Sequence, residues 1–200
     1  MLNINEAQAE QIKKDWEKFR SFCNKLGDRS DAVNKMLDHF EERLPYAPAS
    51  SNKDYHCAFP GGLINHSLRV LSNLVKLVKT FDLKFSQESI ILCALFHDFG
   101  KIGDFNNDQY IPTKENWKYE RGIMYDFNKE LQYMPNTHRT LFLFQHFGIK
   151  LTEEEFLAIL LNDGVEASGN EMYKFREPKL SVYLHMADYS ACLMEKEQSL

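Results

Sequence analysis

Leu95-Phe96-His97-Asp98-Phe99-Gly100-Lys101 closes an apolar run that begins at Ile90-Ile91-Leu92-Cys93-Ala94, so an imidazole and a carboxylate sit side by side in greasy surroundings. Burying a polar group without a partner costs about 2–7 kcal/mol, and a bare charge costs more. A cation satisfies both groups at once. Upstream, Gly61-Gly62-Leu63-Ile64-Asn65-His66 sets a second histidine near the start of an amphipathic helix, and downstream Leu184-His185-Met186-Ala187-Asp188 sets a carboxylate inside a third. Taken singly, His66 reads as a core or capped histidine and Asp188 as an ion-pair partner. The adjacent pair His97-Asp98 does not reduce that way, and the four together form a mixed nitrogen and oxygen ligand set drawn from three helices.

The order His66, His97-Asp98, Asp188 resembles the H…HD…D signature of the HD-domain metal-dependent phosphohydrolases. The chain is similar in particular to the small stand-alone bacterial and bacteriophage members of that superfamily. They typically carry a Pro-Ala-Ser segment, a Lys, Tyr-His and Gly-Gly-Leu-x-x-His, matched here by Pro48-Ala49-Ser50, Lys53, Tyr55-His56 and Gly61-Gly62-Leu63-Ile64-Asn65-His66. The likeness spans about residues 45 to 195. It implies an all-α helical bundle, a divalent metal and hydrolysis of a phosphoester. It also implies that Lys53, Tyr55 and His56 line the pocket mouth. Relatives with two metals place histidines between the HD pair and the last aspartate. His138 matches the first of these by position, whereas Asn162 in Leu161-Asn162-Asp163-Gly164 replaces the second. Since an amide oxygen is a poorer transition-metal ligand than imidazole, the expectation is one strong site and a weak or absent second. Asn162 and Asp163 are then expected to contact substrate.

Length and composition agree. The chain has 200 residues, 44% apolar and 13% aromatic, enough for one sizeable core, and no Pro/Gly/Ser-rich linker divides it. One domain over 1–200 is expected, with N-terminal helices to residue 44 and the HD core over 45–196. No apolar run approaches the ~18 residues needed to span a membrane, and Met1-Leu2-Asn3-Ile4-Asn5-Glu6 lacks the pattern of a secretion signal. The four cysteines, Cys23, Cys57, Cys93 and Cys192, are scattered. They read as reduced core thiols, and a cytoplasmic location follows. A net charge of −5 and dispersed Lys and Arg give no extended nucleic-acid surface.

Helical spacing places elements over about 5–26, 31–44, 62–81, 86–99, a helix capped by Thr137, one opened by the capping box Thr152-Glu153-Glu154-Glu155, and a last one from Pro178 to about Lys196. Asn116–Tyr119 and Ile123–Asp126 around Glu120-Arg121-Gly122 read as a β-hairpin within an insertion near 105–130, a lid or pocket wall. Its aromatics between Tyr110 and Tyr133 suit an oligomer contact.

Adjacent helical residues differ by about 100° around the axis, so a cation over the edge between them reaches both His97 and Asp98. Mixed imidazole and carboxylate ligands suit Mn, Fe, Co, Ni or Zn, with Mg as a weaker fit, and the lack of cysteine ligands argues against structural zinc. Such an ion would activate water and polarise a phosphoryl oxygen. Asp98 is expected to orient or deprotonate the water and Lys101 to neutralise a phosphate oxygen. Hydrolysis of a nucleotide or other small phosphorylated metabolite is the leading reading. The alternatives are a phosphodiesterase or 3′-to-5′ exonuclease on short or cyclic oligonucleotides, and an inactive HD domain that serves as a binding module.

Overall fold

In the computed structural model, which describes residues 4–197 and side chains through Glu195, the expected helices form. Helix α1 (Glu6–Cys23) starts at Asn5, whose side chain accepts from Gln8 N in a capping box. Next come α2 (Ser30–His39), α3 (Gly62–Thr80) and α4 (Gln87–Phe96). The later helices are α5 (Asn116–Glu120), α6 (Asn136–Phe147), α7 (Glu153–Leu160) and α8 (Lys179–Glu197). Strands β1 (Tyr110–Pro112) and β2 (Tyr125–Phe127) pair antiparallel, Tyr110 opposite Phe127 and Pro112 opposite Tyr125. Among the described residues no helix is long and apolar enough to cross a membrane.

One buried cluster joins α1 and α2 to the rest: Phe19, Val33, Leu37 and Phe40 pack with Leu74, Leu92, Phe96, Phe144, Ile159 and Leu184. Its centre is aromatic. Phe96 meets Phe19, Phe99 and Phe144 edge-on at ring separations of 5.3, 5.4 and 5.5 Å, and Phe99 meets Phe40 at 5.5 Å. Such edge-to-face pairs add about 0.5–1.5 kcal/mol each beyond area burial. Phe96 and Phe99 bracket the HD pair, so the two rings fix that short segment.

Several expectations are corrected. Helix α4 stops at Phe96 rather than at Phe99. His97 is its C-cap, and Asp98, at φ −104° and ψ 9°, opens a 3-10 turn over Phe99–Ile102. The tightening has a steric cause: a Cβ on Gly100 would come within 2.1 Å of Asn136 O, while Gly100 N donates to Thr140 Oγ1 at 2.8 Å. The backbone must press against α6 there. Thr137 does not cap α6; Pro135 holds the cap position and Thr137 is buried in the first turn. The second helix likewise begins at Ser30, with Arg29 at its cap position, and ends at His39 rather than at residue 44, Leu44 opening a separate 3-10 turn.

The hairpin exists within the expected insertion, with Tyr125 and Asp126 of the expected second strand in β2 but the first strand at Tyr110–Pro112 rather than Asn116–Tyr119. Asn116–Glu120 is a helical turn, closed by Lys118 N to Glu115 O at 3.0 Å and by Lys118 Nζ bridging Glu115 and Asp126. Trp117 and Tyr119 are half-exposed, so no period-2 face favours a strand. Pairing falls instead on Tyr110 and Tyr125, which bury with Met124 and Ala58. Gly122 supplies the positive φ expected of it, +76°.

Thr152 and Glu155 form the expected capping box, and Glu155 does more. It is buried, takes two hydrogen bonds from Arg29 Nη1 at 2.9 and 2.8 Å and one from Ser89 Oγ at 2.8 Å, and so ties α7 to α4 and to the start of α2. Burial alone would raise its pKa. The Thr152 amide, Arg29 and Ser89 overcome that and hold the carboxyl below the usual range. A group with a depressed folded pKa contributes stability above its unfolded value, about 4.3, and loses it as pH falls through the folded one. Glu155→Gln should therefore destabilise by about 1–3 kcal/mol at neutral pH. The gap to the wild type should close below about pH 4; denaturant unfolding across that range measures it, and a pH-independent gap would contradict the ion-pair account.

Candidate metal centre

The Pro-Ala-Ser and Gly-Gly segments act as a strap. Ser50 Oγ donates to His56 O at 2.7 Å, Ala49 N donates to Cys57 O at 3.1 Å, and Leu63 N donates to Ala47 O at 2.9 Å. Gly61 adopts φ +85°, and a Cβ on Gly62 would fall 2.0 Å from Cys57 O. Only two glycines let the strap turn tightly enough to start α3 and aim His66 inward.

His66 and His97 are both fully buried, and each has one ring nitrogen committed outward. His97 Nδ1 donates to Ala94 O at 2.9 Å, and His66 Nδ1 donates to a Glu195 carboxylate oxygen at 3.0 Å. Such bonds fix the tautomer and leave Nε2 as the inward atom. The two Nε2 atoms then face each other at 3.3 Å. Asp188 Oδ1 stands 3.0 Å from His66 Nε2 and 3.7 Å from His97 Nε2. Asp98 Oδ2 stands 3.8 and 3.5 Å from the same atoms. His66, His97 and Asp188 thus offer donor atoms that all lie within 4.8 Å of one another. Lone pairs and negative charge converge on one point, and only a cation or a proton makes that arrangement favourable.

The local electrostatics follow. For His66, burial works to lower the pKa, but the Asp188 and Glu195 carboxylates outweigh it and raise the imidazole to about 9. Burial would raise Asp98, yet Lys101, His97 and His66 hold it well below the usual carboxylate range. Asp188 is likewise lowered, by His97 and His66 against desolvation. Lys101 Nζ sits on Asp98 Oδ2 at 2.5 Å. Asn162 Nδ2 donates to Asp188 Oδ2 at 2.9 Å, turning Oδ1 toward the histidines. Asp163, at the surface of this turn, has its pKa raised by partial desolvation of the carboxyl and by the Asp98 charge.

All four residues of the predicted ligand set therefore meet, and Lys101, Asn162 and Asp163 adjoin them. His56 lies deeper than a pocket mouth, its ring 4.5 Å from that of His66 and its Nδ1 3.5 Å from Cys192 Sγ. Burial, then the His66 and Lys101 charges, lower it to about 4. Lys53 and Tyr55 are exposed, with the Lys53 ammonium over the Tyr119 ring. His138 is exposed on α6 beside Leu141 and Phe142, and belongs to neither three-donor group found among the described residues. His185 Nδ1 meets Asn162 O at 2.6 Å and steadies the 162–164 turn. His39 and His146 lie in aromatic contacts with Phe105.

Residues 63–161 match the family model described as HD domain. The chain belongs to the HD-domain metal-dependent phosphohydrolase superfamily. The matched span carries His66, His97 and Asp98, and Asp188 lies beyond it. Comparison with curated proteins and with solved structures gave no match. HD domains bind divalent metals, and the donor set fits one: neighbouring ligands about 2.0–2.3 Å from an ion stand about 3–3.8 Å apart, the span measured here.

Sequence reading missed Glu195 and took Cys192 for a core thiol. Both follow Asp188 at i+4 and i+7, one face of α8, and that spacing was the available signal. Cys192 Sγ in fact stands 3.5 Å from Asp188 Oδ1. Glu195, paired with His66, sets that ring's orientation and basicity. Glu195→Gln should weaken divalent-metal affinity about 10–100-fold, read by competition with a chelator. Because the ion must displace the His66 proton, wild-type affinity should climb with pH and level off near 9. Unchanged affinity in the variant would remove Glu195 from the centre.

Proposed function

We propose that this HD domain is a phosphohydrolase that cleaves a phosphoester of a nucleotide or related small phosphorylated metabolite. The observation that carries the proposal is the convergence of the His66, His97, Asp98 and Asp188 donor atoms, with Lys101, paired to Asp98, also lining a cavity of about 390 Å³. Lys101 lines that cavity, and Tyr110, Pro112 and Tyr125 of the hairpin wall it. Its size lies within the ~300–1,000 Å³ of small-molecule sites, and the aromatic wall suits a base or sugar face. The insertion is tied down by Met124 N to Ser51 O at 2.8 Å and by Lys53 N to Gly122 O at 2.9 Å, so it serves as a fixed wall.

His66, His97, Asp98 and Asp188 would hold a divalent ion, which would supply Lewis-acid chemistry, acidifying water and offsetting phosphate charge. Asp98, held ionised between Lys101 and His97, would orient that water. Lys101 reaches the cavity from Asp98 and offers its remaining donors to a phosphoryl oxygen. Asn162 keeps Asp188 turned toward the imidazoles. Asp163, on the same turn, is read as a further substrate contact.

His97→Ala or Asp98→Ala should abolish both metal retention and phosphate release from a panel of nucleoside mono-, di- and triphosphates, dinucleotides and cyclic dinucleotides with added Mn, while the far-UV circular dichroism stays unchanged. Turnover that survives in either variant would refute the mechanism. A metal-loaded wild type that turns over none of these would instead support the binding-module reading.

A further inference from the structure

Cys192 and His56 are unexplained by the four-donor site. The thiol of a helical cysteine usually packs against apolar neighbours, but Cys192 Sγ lies 3.5 Å from His56 Nδ1 and 3.5 Å from Asp188 Oδ1. The His56 ring has no other hydrogen-bonding partner among the described residues: its Nε2 is buried and bonded to nothing. The Ser50 strap holds this ring at a fixed depth, against His66. His56, His66 and Cys192 form a second group of donors within 4.8 Å of one another. An edge of about 3.5 Å is what tetrahedral nitrogen and sulfur ligands at about 2.0–2.3 Å from one ion would show.

We infer that His56 and Cys192, together with the shared Asp188 carboxylate, form a second cation position for a thiophilic divalent ion such as zinc or cobalt, adjoining the His66–His97–Asp98–Asp188 centre. Thiolate and imidazole select zinc-like ions over magnesium or manganese. The two positions therefore differ in preference, the first taking a mixed imidazole and carboxylate coordination and the second a softer one. The inference rests on the first centre being a metal site, since Asp188 belongs to both. It also reverses the reading that no cysteine takes part.

Titrating the chelator-stripped full-length protein with Co(II) tests it. The wild type should take two equivalents and develop a near-ultraviolet thiolate-to-cobalt charge-transfer band. Cys192→Ser should lose the band and one equivalent while keeping the other, and His56→Ala should weaken the sulfur-associated equivalent at least tenfold. Cys57→Ser, which removes the nearby thiol that faces Glu195, should keep the band. A wild type that takes one equivalent without the band overturns the second position and leaves the first intact. Loss of the band in Cys57→Ser but not in Cys192→Ser overturns the assignment as well. Failure of the hydrolase reading shows separately, as phosphate release that survives in His97→Ala.

Discussion

Two imidazole nitrogens facing each other at 3.3 Å, with carboxylate oxygens beside them, form the constraint on which the rest of the molecule depends. Each ring has already spent its Nδ1 proton, on Ala94 O and on Glu195. Left with lone pairs alone, the cluster would repel itself in surroundings where water cannot screen the charge. A positive charge at its centre turns the same geometry into an attraction. The Asp188 and Glu195 carboxylates accordingly favour the charged form of the His66 imidazole, against its burial.

Such an arrangement survives only if the scaffold over-determines it. Phe96 and Phe99 lock the HD pair into the aromatic core, so His97 and Asp98 cannot rotate away to relieve the crowding. Gly61 and Gly62 let the Pro-Ala-Ser strap turn under α3. Helix α8 brings Asp188, Cys192 and Glu195 to the same place on one face, two turns long. Cohesion among hydrophobic side chains thus sustains a cluster whose own electrostatics are unfavourable without a cation, the usual relation between a rigid fold and a strained site.

Much of this was legible in the chain. His97 and Asp98 stood out because both are polar in an apolar context, and His66 and Asp188 joined them through the H…HD…D order. The helices followed from period and caps, with the Thr152-Glu155 box confirmed in place. The failures have physical causes. Helix α4 ended early because Gly100 must approach Asn136 O, a tertiary contact without local signature. The strands were misplaced because Trp117 and Tyr119 have strand propensity but no face to bury, while Lys118 closes a helical turn onto Glu115 and Asp126. Cys192 was underrated because composition treats a thiol as a hydrophobe, and only three-dimensional proximity reveals its polar neighbours.

The two carboxylates of the signature, equivalent as letters, are made unlike by what touches them. Asp98 carries a lysine ammonium on its Oδ2 and is nearly enclosed. Its charge is therefore pinned by Lys101, whose side chain also lines the neighbouring cavity. Asp188 accepts from the neutral amide of Asn162 and borders a thiol, so its charge remains available to cations on two sides. Replacing Asn162 by a histidine would put a competing nitrogen donor where an amide now merely orients Asp188. An asparagine at that position therefore does more than forfeit a ligand: it keeps Asp188 Oδ1 directed at His66 and His97, and within reach of Cys192.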